Sequence, residues 1–205
     1  MTRPVISPVT SILMAYLLLM LSATSAGAQA ADEGAAKFVQ DMGDQVISIV
    51  AAEDMTADSR KEALDAVLRN GVGIERISEY VVAGQWEKAS ADERARFQDV
   101  FSDYLVAAYL RLVTDAGPKS FAVTSAREQG AGRSSVATYI ENTSGEPLSL
   151  SWIVSDESGN YEITDVMVEG VSQAKTYRDE FAGVAANRGV DGLTDALERK
   201  VKKSN

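Results

Sequence analysis

The chain predicts an α+β fold: a curved antiparallel sheet of about four strands packed against N-terminal and C-terminal helices. Three observations carry this. Apolar residues recur with a helical period from residue 33 to about 114, the period falls to two from Ser120, and helical spacing returns at Gln173. Strands and helices do not alternate, as a doubly wound parallel sheet would require.

The N-terminal half reads as four helices. Phe38, Met42, Val46, Ile49 and Val50 mark the first, and Leu64, Val67 and Leu68 the second, with Thr56 placed to cap its start. Asn70-Gly71-Val72-Gly73 interrupts the pattern, and Ile74, Ile77, Val81 and Val82 resume it in a short third helix ending near Gly84. Ser90-Ala91-Asp92-Glu93 is a capping box, in which hydroxyl and carboxylate each satisfy an orphan N–H. It opens the longest helix, whose apolar stripe is Phe97, Val100, Phe101, Tyr104, Leu105, Ala108 and Leu112. Ala116-Gly117-Pro118 ends it.

Phe121 and Val123 begin the first strand, and Gln129-Gly130-Ala131-Gly132 turns it into a second carrying Val136, Thr138 and Ile140. Leu148, Leu150, Trp152 and Val154 alternate with smaller or outward residues in the third. Tyr161 opens the fourth. Two helices follow, Gln173 to Asn187 and Val190 to Lys202, separated by Arg188-Gly189.

The fourth strand changes phase. Tyr161 and Ile163 share one face, yet the later apolar residues, Val166 and Val168, fall on the other. A β-bulge near Thr164 and Asp165 produces such a slip, as does a strand whose ends are buried on different faces. One outcome is a sheet covered by helices on both sides. The other is a curved sheet wrapped around an internal space, with Trp152 pointing toward that space or into the core.

Residues 1–30 read as a cleaved secretory signal. Arg3 is followed by the apolar run Ile12 to Leu21 and by small-residue sites ending at Ala28 and Ala30. Ten apolar residues are half the roughly twenty that span a bilayer. Cleavage after Ala30 leaves one domain, residues 31–205, with no Cys for disulfides. Its stability rests on an ordinary core. The formal charge of −10 argues against broad adhesion to nucleic acid or to anionic headgroups.

Catalytic signals are poor. Without His or Cys, the familiar nucleophile–base sets are impossible and zinc loses its best ligands. Asp165 and Glu169 would lie roughly 13 Å apart on an unbulged strand, beyond the about 5 to 9.5 Å of a glycosidase pair. Gly71-Val72-Gly73 follows a helix and reads as a loop, not a nucleotide site. Arg178 reads as a structural ion-pair residue with Asp165 as a candidate partner. No catalytic residue, metal site or cofactor is expected.

The chain resembles the MlaC-type periplasmic phospholipid carriers, also called toluene-tolerance auxiliary proteins, from about Phe38 to Leu197. The likeness rests on Gly84-Gln85-Trp86 followed by Ser90, Arg94 and Phe97, on Phe101 and Tyr109, and on Trp152. It continues in Asp165-Val166, Glu169-Gly170-Val171-Ser172, Tyr177-Arg178 and Phe181. One departure is Asn70-Gly71, where relatives often carry a Phe-Asp-like pair. The resemblance implies a deep apolar cavity for the tails of a phospholipid, or of a related lipid such as a hopanoid. It also implies two partners: an inner-membrane ABC transporter bearing MCE domains and an outer-membrane lipoprotein complex. Two tails of about thirty methylenes, at about 0.8 kcal/mol each, would oppose bare transit through water by roughly 24 kcal/mol. Enclosure of about 1,000 Å³ is therefore expected.

By face, the lining candidates are Val81, Phe101, Tyr104, Leu105, Tyr109, Val136, Ile140, Leu150, Trp152, Ile163, Val166 and Val168. Lys119, Arg127 and Arg133 lie near strand ends, where a phosphate could meet them. The rival readings are a non-lipid envelope binding or scaffold module and a carboxylate-dependent enzyme.

Overall fold

The computed structural model describes residues 31–204 except 144 and 158; the secretory-signal reading of residues 1–30 lies outside the described residues, as does the side chain of Leu112. The helices are α1 (Glu33–Ala51), α2 (Ala57–Gly71), α3 (Ile74–Val82), α4 (Ala91–Ala116) and α5 (Gln173–Ser204). A short 3₁₀ turn, Ala83–Gln85, follows α3. Between α4 and α5 lie β1 (Pro118–Gly130), β2 (Arg133–Asn142), β3 (Leu148–Ser155), β4 (Glu162–Val168) and β5 (Val171–Ser172). They form one antiparallel sheet in sequence order.

Local chemistry sets the helix ends. The Ser59 N–H donates to Thr56 Oγ1 at 3.2 Å, which fixes the start of α2. Ser90 and Glu93 form both halves of the capping box at the start of α4. Gly117 closes that helix in the left-handed region at φ 56°, its N–H donating to Val113 O. The two expected C-terminal helices are both present, joined within α5 across a break at Gly189, where φ 68° and ψ −175° leave the helical region. The sheet has one strand more than expected. Glu169 and Gly170, both at positive φ, turn β4 back into the two-residue β5.

Parts of β1 and of β4 that lack a partner strand are covered. Gln40 of α1 donates from Nε2 to Phe121 O at 3.1 Å and accepts from the Val123 N–H at 2.9 Å, so its amide replaces a neighbouring strand along part of β1. On the far side the α2–α3 linker takes that place. Val72 bridges to Ile163, and the Gly73 N–H donates to Ile163 O at 3.0 Å.

The interior holds two packed regions and, on the inner face of β3 and β4, a third small cluster of Leu150, Ile163 and Val166. Trp86, Phe97, Phe101, Phe181, Leu193 and Leu197 form a core among α3, α4 and α5. Phe97 stacks on Phe101 at 5.4 Å between centroids, and Phe181 meets Phe101 edge-on. Arg96 of α4 binds Asp191, Asp195 and Glu198 and ties the second half of α5 to this core. The other region lies between α1 and the sheet, where Ala35, Val39, Val136 and Val154 are almost fully buried.

Asp32 anchors α1 on that second region. Its carboxylate caps the helix by accepting from the Ala35 N–H at 2.9 Å, and also accepts from Ser134 Oγ at 2.6 Å and the Tyr161 hydroxyl at 3.2 Å. Burial would push its pKa up, but these hydrogen bonds outweigh burial and hold the carboxyl below its ordinary value. A depressed folded-state pKa contributes stability above the unfolded value, about 3.9, and that contribution is lost as pH falls through the folded value. Asp32→Ala is therefore expected to cost about 1 kcal/mol in urea unfolding at pH 7. The gap between variant and wild type closes as pH drops below about 4. A gap that stays constant down to pH 2 contradicts this role.

Candidate functional site: an apolar cavity beneath the sheet

The wall of the site begins with one extra residue. Ile153 pairs with Asp165 but Val154 pairs with Ile163, so Thr164 is left over as a β-bulge. Before the bulge Ile163 faces inward opposite Val154. After it Val166 and Val168 face inward opposite Trp152 and Leu150. Thr164 donates from Oγ1 to Ile153 O at 3.2 Å, so the unpaired residue still holds the neighbouring strand. The opposite sheet face carries Tyr139 and Ser149, which are exposed, and Ser135, Ala137 and Ser151, which are half-buried. That face meets solvent, so the sheet is not sandwiched between two helix layers.

Beneath the bulged face lies a cavity of about 270 Å³. The sheet contributes Phe121, Ile140, Leu148, Leu150, Trp152, Ile163, Val166 and Val168. From α1 come Val39, Met42, Gly43, Val46 and Ile47, and from α2 Leu64 and Leu68. The C-terminal half of α4 adds Leu105, Tyr109, Leu110 and Val113, and α5 adds Ala174 and Tyr177. The volume is well short of the roughly 1,000 Å³ expected for two tails.

Eight of the twelve residues expected by face stand in this wall: Leu105, Tyr109, Ile140, Leu150, Trp152, Ile163, Val166 and Val168. The other four do not. Val81 and Phe101 are buried in the helical core, with Tyr104 packed against it. Val136 lies under the N-terminal half of α1, where helix and sheet are in direct contact. The stripe on α4 is continuous in sequence but serves two environments, α5 for Phe97 and Phe101 and the cavity from Leu105 onward. Periodicity reports a buried face without saying what buries it. The same limit explains why the α1 and α2 residues were missed: their periodic faces mark burial, whether against core or cavity.

Polar groups in the wall are few. Asp165 accepts from the N–H groups of Val166 and Ala174 at 2.8 and 2.9 Å and from Ser172 Oγ, so it fastens the start of α5 to β4. Its expected pairing with Arg178 does not occur. The Arg178 guanidinium lies 4.8 Å from the Tyr80 ring centroid instead, a cation–π contact on the surface. Gln173 donates to Val171 O, and Asn142 donates from Nδ2 to Glu146 O. Tyr109 has its pKa pushed up to about 12 by burial and by the nearby Asp165 charge. Burial raises that of Tyr177 as well.

Of the cations considered for a headgroup, Lys119 adjoins the lining residue Pro118. Arg127 and Arg133 flank the hairpin at the other end of β1 and β2, roughly 20 Å along their strands from the lining residues Phe121 and Ile140. They are not at this cavity. Among the described residues there is no group of three or more carboxylates placed to hold a metal, and no helix long and apolar enough to cross a membrane.

This architecture has relatives. The MlaC protein family model matches residues 40–199. The chain belongs to the MlaC family. Its curated relatives include the toluene tolerance protein Ttg2D of Pseudomonas putida, 24% identical over 131 residues, 63% of this chain and 61% of that one. This match therefore spans less than two thirds of the relative. The intermembrane phospholipid transport system binding protein MlaC of Haemophilus influenzae is 20% identical over 80% of this chain and 81% of its own. Among solved structures, the phospholipid-binding protein from Ralstonia solanacearum in complex with a phospholipid superposes with a TM-score of 0.71. That match has 20% identity and covers 83% of this chain and 98% of that one.

Gly43 brings α1 and the sheet together at the cavity. A Cβ there would overlap the Phe121 ring, which packs on the bare helix backbone. Gly43→Ala gains up to about 1 kcal/mol of helix propensity, but overpacking costs about 1–3 kcal/mol. A net loss is expected in denaturant unfolding, recovered in part by adding Phe121→Leu. Stabilisation by Gly43→Ala alone contradicts the close contact.

Proposed function

We propose that the protein is a periplasmic lipid carrier, exported by a cleaved leader, that encloses phospholipid acyl chains and shuttles the lipid between membrane components of an ABC-type transport system. The single observation that supports this most is the cavity. Its lining is almost wholly aliphatic and aromatic, and although Leu105, Tyr109 and Tyr177 also touch the helical core, the Phe97, Phe101 and Phe181 cluster of that core packs without it. The relatives' names point the same way, toward phospholipid binding, intermembrane phospholipid transport and toluene tolerance. The partners that fit are an inner-membrane ABC transporter bearing MCE domains and an outer-membrane lipoprotein complex.

At 270 Å³ the cavity has room for about nine water-sized groups, well under the length of one acyl chain, so loading widens it. Met42, an unbranched lining side chain from α1, is suited to such repacking. The lipid-contact residues of this proposal are Leu105, Tyr109, Ile140, Leu150, Trp152, Ile163, Val166 and Val168, joined by the α1 and α2 faces. The carboxylate-dependent enzyme loses its best acid, because Asp165 is occupied in holding α5.

Organic extraction and native mass spectrometry of the mature protein test the proposal. Phospholipid is expected at close to one molecule per chain. Val168→Trp, which fills the cavity without burying a charge, and Leu150→Arg are each expected to lower lipid content at least ten-fold while circular dichroism stays native. A well-folded wild type that carries and takes up no lipid overturns the carrier reading.

A further inference from the structure

Two groups in the cavity wall lack a use in the fold. Tyr109 of α4 and Tyr177 of α5 both line the cavity, and neither hydroxyl makes a hydrogen bond among the described residues. Their rings have clear structural work. Tyr177 packs on Phe101 and Phe181 at 5.9 and 5.8 Å between centroids, and Tyr109 packs against the same helical core. Phe would do that work equally well. A phenol left without a partner in an apolar wall is less stable than the Phe that fills the same space.

The other polar side chains in the wall are bonded within the protein. Thr164 and Gln173 donate to backbone carbonyls, and Asp165 already accepts three hydrogen bonds. Asn142 keeps one unpartnered atom, Oδ1, which is an acceptor. Tyr109 and Tyr177 come from two helices packed on each other, both rings rest on the helical core, and both side chains line the one cavity. A phenol is neutral at pH 7, and burial raises both pKa values further, so the wall holds two O–H donors within otherwise greasy surroundings.

We propose that the Tyr109 and Tyr177 hydroxyls form a seat for the ester carbonyl oxygens of a diacyl glycerolipid, fixing the depth at which the cargo rides. The inference rests on the carrier reading and narrows its cargo class. An ester-linked lipid brings two carbonyl acceptors at the head of its tails, one for each of the two phenol donors in the wall. A hopanoid-like hydrocarbon skeleton offers no such acceptor, and a phosphate bound at the mouth would leave both phenols unused.

Competition between two lipids with the same glycerophosphoethanolamine headgroup and the same chain length, one ester-linked and one ether-linked, tests this directly. Delipidated protein is loaded from mixed vesicles, and the bound lipids are counted by native mass spectrometry. The wild type is expected to favour the ester form roughly ten-fold, two modest hydrogen bonds' worth of discrimination. The double variant Tyr109→Phe/Tyr177→Phe keeps the rings and is expected to load both lipids equally. Equal loading by the wild type overturns the seat while leaving the carrier intact, as does an ester preference that survives in the double variant. A wild type that loads neither lipid overturns the carrier reading and the seat together.

Discussion

The β-bulge at Thr164 is the constraint on which the cavity wall depends. Side chains on a strand alternate, so a regular β4 could turn Ile163 inward or Val166 and Val168 inward, but not all three. Sending even one of them to the solvent face would forfeit about 1.5–3 kcal/mol. The bulge forgoes about 0.5–1.5 kcal/mol of ladder hydrogen bonding, and the Thr164 hydroxyl recovers part of it through Ile153 O. Burial wins that comparison. The bend that results also presents Asp165 to the first turn of α5, so one irregularity shapes the wall and positions the helix that closes it.

Around that wall the molecule separates the work of folding from the work of containing. The aromatic cluster of Phe97, Phe101 and Phe181 gives α3, α4 and α5 a dense core of their own. The arginine at position 96 clamps that core from outside. The sheet and α1 are joined elsewhere, through Asp32, Gln40 and the glycine contact at Phe121. Because neither contact set relies on filling the cavity, the space between them can remain apolar without close packing.

Much of this was legible in the sequence for definite physical reasons. Capping residues mark helix starts through hydrogen bonds made within four residues, so Thr56 and the Ser90–Glu93 box were readable, and Gly189 and Gly117 marked breaks. The phase slip in β4 pointed to the bulge because strand period is strict. Lining was only partly readable. Val81, Phe101, Tyr104 and Val136 carry the same apolar signal as Leu105 or Leu150, yet they meet other helices or the foot of α1. What separates the two groups is the spacing between elements, a property of tertiary packing with no local signature. Gln40 as a surrogate strand and Asp32 as an anchor were likewise invisible, since their partners lie 81 to 129 residues away.

The central claim is that lipid tails occupy the space bounded by the bulged sheet, α1, α2 and the C-terminal half of α4. Photolabelling with a phospholipid carrying a diazirine midway along one tail, followed by peptide mapping, tests it most directly. The account predicts label on Val39 to Ile47, Leu105 to Val113 and Leu148 to Val168, with none on the Phe97–Phe181–Leu193 core. Label concentrated on that core, or on the outer sheet face around Tyr139, would contradict it.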